Sequence, residues 1–325
     1  MKNIFHRRVC GLLAACLLAL TLSGCARPTP TAGSSGSVRV VATIFPLAEW
    51  CRALIGEDNP RVELTTLVAG GTDMHSHQAS AQDIVGLSTC DILVYVGGES
   101  EAWVRKALEQ RTNDGMTALD LMQQVLADRT LQEETVEGMQ AEDDEEEADD
   151  TLDEHVWLSL KNAEVSVMAI ADALIAADPA GREGYVARRD AYIARLRQLD
   201  EAYADMTAHA KRRTGLFGDR FPFRYLIEDY GLSYYAAFAG CSAETEASFE
   251  TVIFLARKCD ELGLKHVLRI EHGASDIADT IVANTRDKDQ TVLVMQSMQG
   301  LIPEGGTYLS LMEENLETLK TALNE

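Results

Sequence analysis

Short apolar runs alternate with helical segments over the first part of the chain. The runs at residues 38–44, 62–68 and 91–97 are rich in β-branched residues and are typical of strands buried on both faces. Between them, residues 47–55 and 80–87 have the composition and spacing of helices. Because strands and helices alternate, we predict a parallel sheet whose strands are connected by crossover helices.

A longer periodic pattern begins after residue 179. Its apolar residues, from Tyr185 to Met206, recur at intervals of three, four or seven, which predicts a helix of about 30 residues and ~45 Å. Asp178 is a favourable N-cap for this helix, and Pro179 is a favourable first residue. Strand-like runs then resume at residues 214–218, 232–238, 265–270 and 291–295.

These patterns predict an α/β fold of two parallel-sheet (β/α) lobes joined by one long rigid helix. We expect the N-terminal α/β lobe to cover residues 38–177, the linking helix residues 178–212 and the C-terminal α/β lobe residues 213–325. A length of 325 residues agrees with two domains at ~150 residues each. The hydrophobic share of 46% is enough for a substantial core.

The N-terminal segment has the pattern of an exported lipoprotein. A basic start and an apolar run over residues 11–22 predict a signal peptide over residues 1–24, because the run is too short to span a bilayer permanently. Small residues precede Cys25, as in a bacterial lipobox, where this cysteine receives a diacylglycerol. An ordinary signal peptide with an incidental cysteine is the alternative. Residues 25–37, rich in Pro, Gly, Ser and Thr, predict a flexible tether to a membrane.

Charge excludes some partners and draws attention to one segment. The chain has 52 acidic and 29 basic residues, for a net charge of −23, so phosphate backbones repel it and we expect no nucleic-acid partner. Ten carboxylates lie within residues 142–154, and we place this acidic loop at residues 139–154 of the N-terminal lobe. A solvated charged loop is the simplest interpretation. The alternative is a cation collector that raises the local metal concentration near an adjacent site.

Four cysteines remain in the folded body. Outside the cytoplasm they could form disulfides, and the proposed domain boundary favours one pair per lobe. The alternative is four buried thiols that never pair. The favoured pairs are Cys51–Cys90 and Cys241–Cys259.

Two histidines carry the strongest chemical signal. His75 lies in GGTDMHSHQAS, just after a predicted strand, and His155 directly follows the acidic run in DEHVWLSL. Open α/β sheets bind ligands at such strand-end loops, and each imidazole lies beside carboxylates. Imidazole and carboxylate together suit a transition metal, so we predict a metal site at these histidines. For His77, His209 and His266 we expect rim, capping or packing roles instead.

Several segments resemble the metal-receptor lipoproteins of zinc and manganese ABC importers. The segments are GGTDMHSHQASAQDI, YVGGESEAWV, DEHVWLSLKNA and FGDRFPFRYLIEDYGLSYYAAFAGCSAETEAS, and the resemblance runs from about Val38 to the C-terminus. It implies one Zn²⁺ or Mn²⁺ ion held in a cleft between two lobes that a long helix joins. His75 and His155 match the two ligands that the family has in the N-terminal lobe.

The other half of the family pattern is altered here. By the resemblance, the third ligand, a histidine, falls at Gly218, and the fourth, an acidic residue, falls at Gln296. A set of two histidines and a carboxylate is chemically sufficient for a borderline ion. The candidates for completing the site are Asp219, Glu244, Glu271 and His272.

The resemblance implies a substrate-binding lipoprotein, anchored outside the cytoplasm, that delivers its metal to an ABC permease. We expect Zn²⁺ in preference to Mn²⁺, and a monomer. We expect no enzyme, because the sequence has no His-Glu-x-x-His, Gly-x-Ser-x-Gly, Walker or Gly-x-Gly-x-x-Gly motif. Two alternatives stay open: a zinc-dependent hydrolase, and an adhesin-type lipoprotein with a structural metal.

Overall fold

The computed structural model describes residues 36–68, 73–140, 151–242, 246–271, 275–299 and 302–325. Ser37–Glu325 forms one compact unit. The predicted signal peptide, the lipidation site at Cys25 and residues 141–150 of the acidic loop lie outside the described residues. In the part of the chain described, no helix combines the length and the apolar character that crossing a bilayer requires.

The first sheet has four parallel strands in the order β2-β1-β3-β4. Its strands are β1 (Val38–Ala42), β2 (Val62–Thr66), β3 (Ile92–Tyr95) and β4 (Thr117–Asp120). The three apolar runs predicted as strands are confirmed. The sequence did not reveal β4, because its four residues are too few and too polar for a strand pattern.

The second sheet also has four parallel strands, in the order β6-β5-β7-β8. Its strands are β5 (Thr214–Phe221), β6 (Ser233–Ala239), β7 (His266–Ile270) and β8 (Thr291–Met295). All four runs predicted as strands are confirmed. Strand β5 continues to Phe221, with a register irregularity between Phe217 and Arg220.

Helices flank both sheets, and one long helix connects the two halves. The long helix, α5, has 27 residues, so the prediction of one long connecting helix is confirmed. It buries Tyr185, Leu196, Leu199, Tyr203 and Met206, as the periodic stripe requires. The helices are α1 (Phe45–Ile55), α2 (Ala81–Thr89), α3 (Ala102–Leu108), α4 (Leu160–Ala177), α5 (Arg182–Ala208), α6 (Arg224–Tyr230), α7 (Phe249–Leu262), α8 (Ser275–Asn284) and α9 (Tyr308–Asn324).

One hydrophobic core runs through both sheets, α4 and α5. Trp157 is fully buried in it and connects the halves by hydrogen bonds as well as by packing. Its indole Nε1 donates to the carbonyl of Ser297 at 2.9 Å, and its own carbonyl accepts from the Tyr308 hydroxyl at 2.7 Å. The segment just after His155 is therefore fixed against the loop that follows β8.

The cysteines form neither of the two favoured disulfides, since all four are free thiols. Cys51 packs in the core on one face of the first sheet, whereas Cys90 packs in a separate cluster on the other face. Cys259 is buried against the second sheet, and Cys241 is half-buried beyond the end of β6. Cys51 and Cys90 are therefore separated by the first sheet, and Cys241 lies in the loop after β6, outside the cluster that contains Cys259. Neither the pair Cys51–Cys90 nor the pair Cys241–Cys259 is formed.

Asp178 takes the predicted N-cap position, at the start of the 3₁₀ turn Pro179–Gly181 that leads into α5. Its side chain makes no capping hydrogen bond in that position. Its Oδ2 accepts instead from Arg61 Nε at 2.8 Å and from the hydroxyl of the buried Tyr185 at 2.7 Å. Burial alone would raise the pKa of Asp178, but these hydrogen bonds outweigh it and lower that pKa.

Replacing Asp178 by alanine should lower the free energy of unfolding by about 1–2 kcal/mol at neutral pH, since the buried Tyr185 hydroxyl loses its acceptor. The folded-state pKa is lowered, so this stabilisation is present above the ordinary carboxyl pKa. It disappears as the pH falls through the lowered value. Denaturant titrations at several pH values measure the difference. Asp190→Ala, on the exposed side of α5, should change stability by less than about 0.5 kcal/mol.

Candidate metal centre

His75 is placed by a short 3₁₀ turn, Met74–Ser76, in the loop that follows β2. Asp73 caps this turn, with Oδ1 accepting from the His75 backbone N–H at 3.0 Å. The His75 ring nitrogen Nδ1 lies 2.7 Å from Ser100 Oγ. A donor role for Nδ1 in that contact leaves Nε2 with a free lone pair, which is the form that binds metals.

His155 is fully buried and begins the 3₁₀ turn Val156–Leu158. One oxygen of Asp153 holds it twice: Oδ1 accepts from the His155 backbone N–H at 2.8 Å and lies 3.0 Å from Nδ1. A carboxylate in contact with the second nitrogen of an imidazole fixes the ring and its tautomer in many metal sites. The Nε2 atom of His155 is thereby aimed away from Asp153.

The two imidazoles face each other, with their Nε2 atoms 3.2 Å apart. Two nitrogens bound to one tetrahedral zinc ion at 2.0–2.1 Å would be about 3.3–3.4 Å apart. Burial, and then the neighbouring His155, lower the pKa of His75, so its ring is neutral at physiological pH. The sequence prediction that these two histidines act together thus has the geometry of a metal-binding pair.

Gln299 is a third member of this cluster that sequence reasoning missed. Its Nε2 lies 2.7 Å from His75 Nε2 and 2.8 Å from His155 Nε2, so the amide occupies the space between the rings. Its Oε1 is buried without a hydrogen-bond partner among the described residues. Gln296, the position singled out from the sequence, has its backbone N–H and carbonyl paired with the Asn315 side chain.

Cys241 completes the cluster from the loop after β6. One ligand atom from each of His75, His155 and Cys241 lies within 4.8 Å of the other two. Sequence reasoning assigned Cys241 to a disulfide, although its segment, AFAGCSAE, follows a strand just as the segment of His75 does. This position just after a strand is the sequence feature that could have indicated Cys241 as a site residue.

Arg220 links the His75 turn to the second sheet. Its Nη2 donates to Asp73 Oδ2 at 2.8 Å, and both side chains are mostly buried. Asp73 therefore holds the His75 backbone with one oxygen and Arg220 with the other. This ion pair was not anticipated from the sequence.

Asp219 and Glu271 lie outside the histidine cluster and have structural partners. Asp219 accepts from the backbone N–H groups of Arg220 at 2.8 Å and Ile270 at 3.2 Å, and burial raises its pKa. Glu271 accepts from Ser297 N at 2.6 Å, Ser297 Oγ at 2.9 Å and Met298 N at 2.9 Å. Glu271 thus shapes the loop that carries Gln299. The other two candidates, Glu244 and His272, lie outside the described residues.

Three other histidines that the structure describes, His77, His209 and His266, are not part of the cluster. His77 packs 5.7 Å from the Trp103 ring, centroid to centroid, at the edge of the site. His209 is exposed at the end of α5, next to Asp205. His266 opens β7 and lies 3.4 Å from a carboxylate oxygen of Glu325.

Two parallel sheets with a long connecting helix, and two imidazoles brought together at strand-end loops, define a protein of the two-lobed solute-binding fold class. The chain belongs to the ZnuA family, described as the periplasmic zinc-uptake complex component A, whose model matches residues 40–322. The family resemblance noted in the sequence is thereby confirmed.

Relatives agree with this assignment. The chain is 27% identical to the high-affinity zinc uptake system protein ZnuA of Bacillus subtilis, over 96% of both chains. It is 29% identical to the zinc-binding lipoprotein AdcA of Streptococcus pneumoniae, over 97% of this chain and 61% of the relative. For the AdcA proteins of Streptococcus pyogenes, the chain spans 56% of their length. These names describe binding and uptake proteins, in agreement with the expectation that the chain is not an enzyme.

Solved structures share the fold. The Zn(II)-bound ZnuA-like domain of Streptococcus pneumoniae AdcA superposes with a TM-score of 0.69 at 26% identity, covering 89% of this chain and all of that domain. The periplasmic zinc-binding protein TroA of Treponema pallidum gives a TM-score of 0.72 at 20% identity, over 89% of this chain and all of TroA, which shows the fold alone.

His75→Ala and His155→Ala should each weaken zinc binding by more than about 100-fold, because loss of an outer partner alone already costs about 10–100-fold. His209→Ala and His266→Ala are the matched controls, since both rings lie away from the cluster. Competition titration against a chromophoric chelator measures all four variants. An equal loss in all four would mean that the histidines contribute only unspecific charge.

Proposed function

We propose that the protein is a metal receptor outside the cytoplasm that captures one divalent transition ion and delivers it to an ABC permease. The observation that carries this proposal is the pair of imidazole Nε2 atoms of His75 and His155, which lie 3.2 Å apart. Each ring is fixed through its other nitrogen. The family assignment supports the same role. The metal is the cargo of this protein and not a resident cofactor.

Zn²⁺ is the favoured cargo over Mn²⁺. Imidazole donors suit zinc, whereas manganese prefers carboxylates, carbonyls and water. Asp219 and Glu271, the carboxylates that could have served a hard ion, are engaged by backbone N–H groups. The groups that lie beside the two imidazoles are the Gln299 amide and the Cys241 thiol.

Delivery requires that the ion can leave as well as bind. His75 follows a strand of the first sheet, whereas Gln299 follows a strand of the second, although they lie 224 residues apart in the sequence. A site built from both halves is dismantled when the two loops separate, so docking on a permease could release the ion without chemical change. Lipidation at Cys25 would keep the receptor near that permease, as the lipobox pattern suggests.

The central test is metal content. The chain from Ser37 onwards, which is the compact unit, should bind one zinc ion, and excess Mn²⁺ should not displace it. Elemental analysis after zinc loading, combined with competition titration, gives stoichiometry and preference. A chain that holds no stoichiometric metal after exhaustive loading would end the receptor proposal.

The acidic loop should speed metal capture without holding the bound ion. Its C-terminal end is held just before His155, because the Thr151 carbonyl accepts from Glu133 N at 2.8 Å and Asp153 N donates to the Leu131 carbonyl at 2.9 Å. A dense negative field there attracts cations over the screening length of ~8 Å at physiological salt.

Deleting residues 142–150 should therefore slow zinc association at low ionic strength and have less effect at high salt. Stopped-flow association rates and chelator-driven dissociation rates separate capture from retention. The dissociation rate should hardly change. Loss of binding at saturating zinc would instead make the loop a source of ligands, and unchanged rates at every ionic strength would leave it a solvated loop.

A further inference from the structure

The loop after β6 passes unusually close to the His155 ring. A Cβ atom on Gly240 would lie 2.8 Å from His155 Cε1 and 2.8 Å from the Phe221 carbonyl oxygen, so only glycine permits this approach. The next residue is Cys241. Because the loop passes so close to His155, the Cys241 thiol lies near both imidazoles. The loop geometry is thus built around contact between the β6 loop and the metal-binding histidines.

We propose that the Cys241 thiolate is the third protein ligand of the transported metal, alongside His75 and His155. This inference rests on the proposed receptor function. In a tetrahedral zinc site the nitrogen-to-sulfur distance would be about 3.6 Å. The three ligand atoms now lie within 4.8 Å of one another, so a movement of about 1 Å brings the sulfur into the coordination sphere.

Gln299 supplies independent evidence that a ligand belongs between these groups. Only 6% of its surface is exposed, its amide nitrogen lies between the two rings, and its carboxamide oxygen has no hydrogen-bond partner among the described residues. A buried amide oxygen without a partner is unfavourable unless a cation or donor satisfies it. Rotation of the amide would present Oε1 to an ion bound by the imidazoles.

Cys241 also differs from the other three thiols of the folded body. Cys51, Cys90 and Cys259 are completely or almost completely buried within hydrophobic clusters. Cys241 is half-buried instead, and its backbone N–H donates to Glu133 Oε1 at 3.1 Å. A thiol in polar surroundings beside two imidazoles is placed for coordination and not for packing.

Coordination exchanges the thiol proton for the metal. The sulfur forms a bond to the ion and its proton passes to solvent, as for other metal-bound cysteines. A thiolate with two imidazoles selects thiophilic ions such as Zn²⁺ against Mn²⁺. Cys241 would therefore be a residue that determines specificity as well as affinity.

Cobalt(II) substitution tests the sulfur bond directly, since a thiolate bound to cobalt gives a near-ultraviolet charge-transfer absorption that nitrogen and oxygen ligands lack. The chain from Ser37, loaded with Co²⁺, should show this band, and Cys241→Ser and Cys241→Ala should both lose it. Both variants should also bind zinc more weakly by at least about 100-fold. Cys90→Ser is the matched control, because that thiol donates to the Leu87 carbonyl at 3.2 Å and a serine hydroxyl can do the same.

The outcomes separate this inference from the receptor function. A wild-type chain that binds one zinc ion without the cobalt–sulfur band, and with unchanged affinity in Cys241→Ser, overturns the Cys241 assignment and leaves the receptor intact. A wild-type chain that binds no metal overturns the receptor function itself. Circular dichroism shows whether each variant is folded, so that affinities are compared only between folded proteins.

Discussion

The close approach of two imidazoles, those of the half-buried His75 and the buried His155, is the constraint on which this site depends. Two Nε2 atoms at 3.2 Å repel each other through their lone pairs unless a donor or a cation lies between them. Here the Gln299 amide lies between them. The rings stay in place because Ser100 and Asp153 hold their opposite nitrogens. The Gln299 amide thus occupies the space where the metal ion would lie under the proposed function.

Hydrogen bonds to the backbone connect the residues around the two imidazoles to the rest of the fold. The Ser100 N–H donates to Glu154 Oε1 at 2.9 Å, so the residue that holds one imidazole is tied to the neighbour of the other. On the far side, Glu271 binds the N–H groups of the loop that leads to Gln299. Trp157 packs between these regions and bonds to the same loop. Strands of two different sheets therefore place their end loops at one point.

Carboxylates surround this centre but serve mainly to position other groups. Asp73, Asp153 and Glu271 each accept backbone N–H donors, and Asp73 also pairs with Arg220. Such charge-assisted contacts order the loops before any metal arrives, which reduces the entropy that binding must overcome. The net charge of −23 adds a field of longer range that attracts cations.

The sequence alone predicted seven of the eight described strands, the long helix and the pairing of the two histidines, because periodicity and local composition act over a few residues. It missed β4, which is four residues long, and it did not reveal that the Asp178 side chain binds Arg61 and Tyr185. Only the tertiary structure brought Gln299 and Cys241 to the imidazoles, and only it showed that Asp219 and Glu271 bind backbone groups. These facts depend on which loops of separate sheets converge, and that follows from the packing of the whole core, which no local pattern encodes.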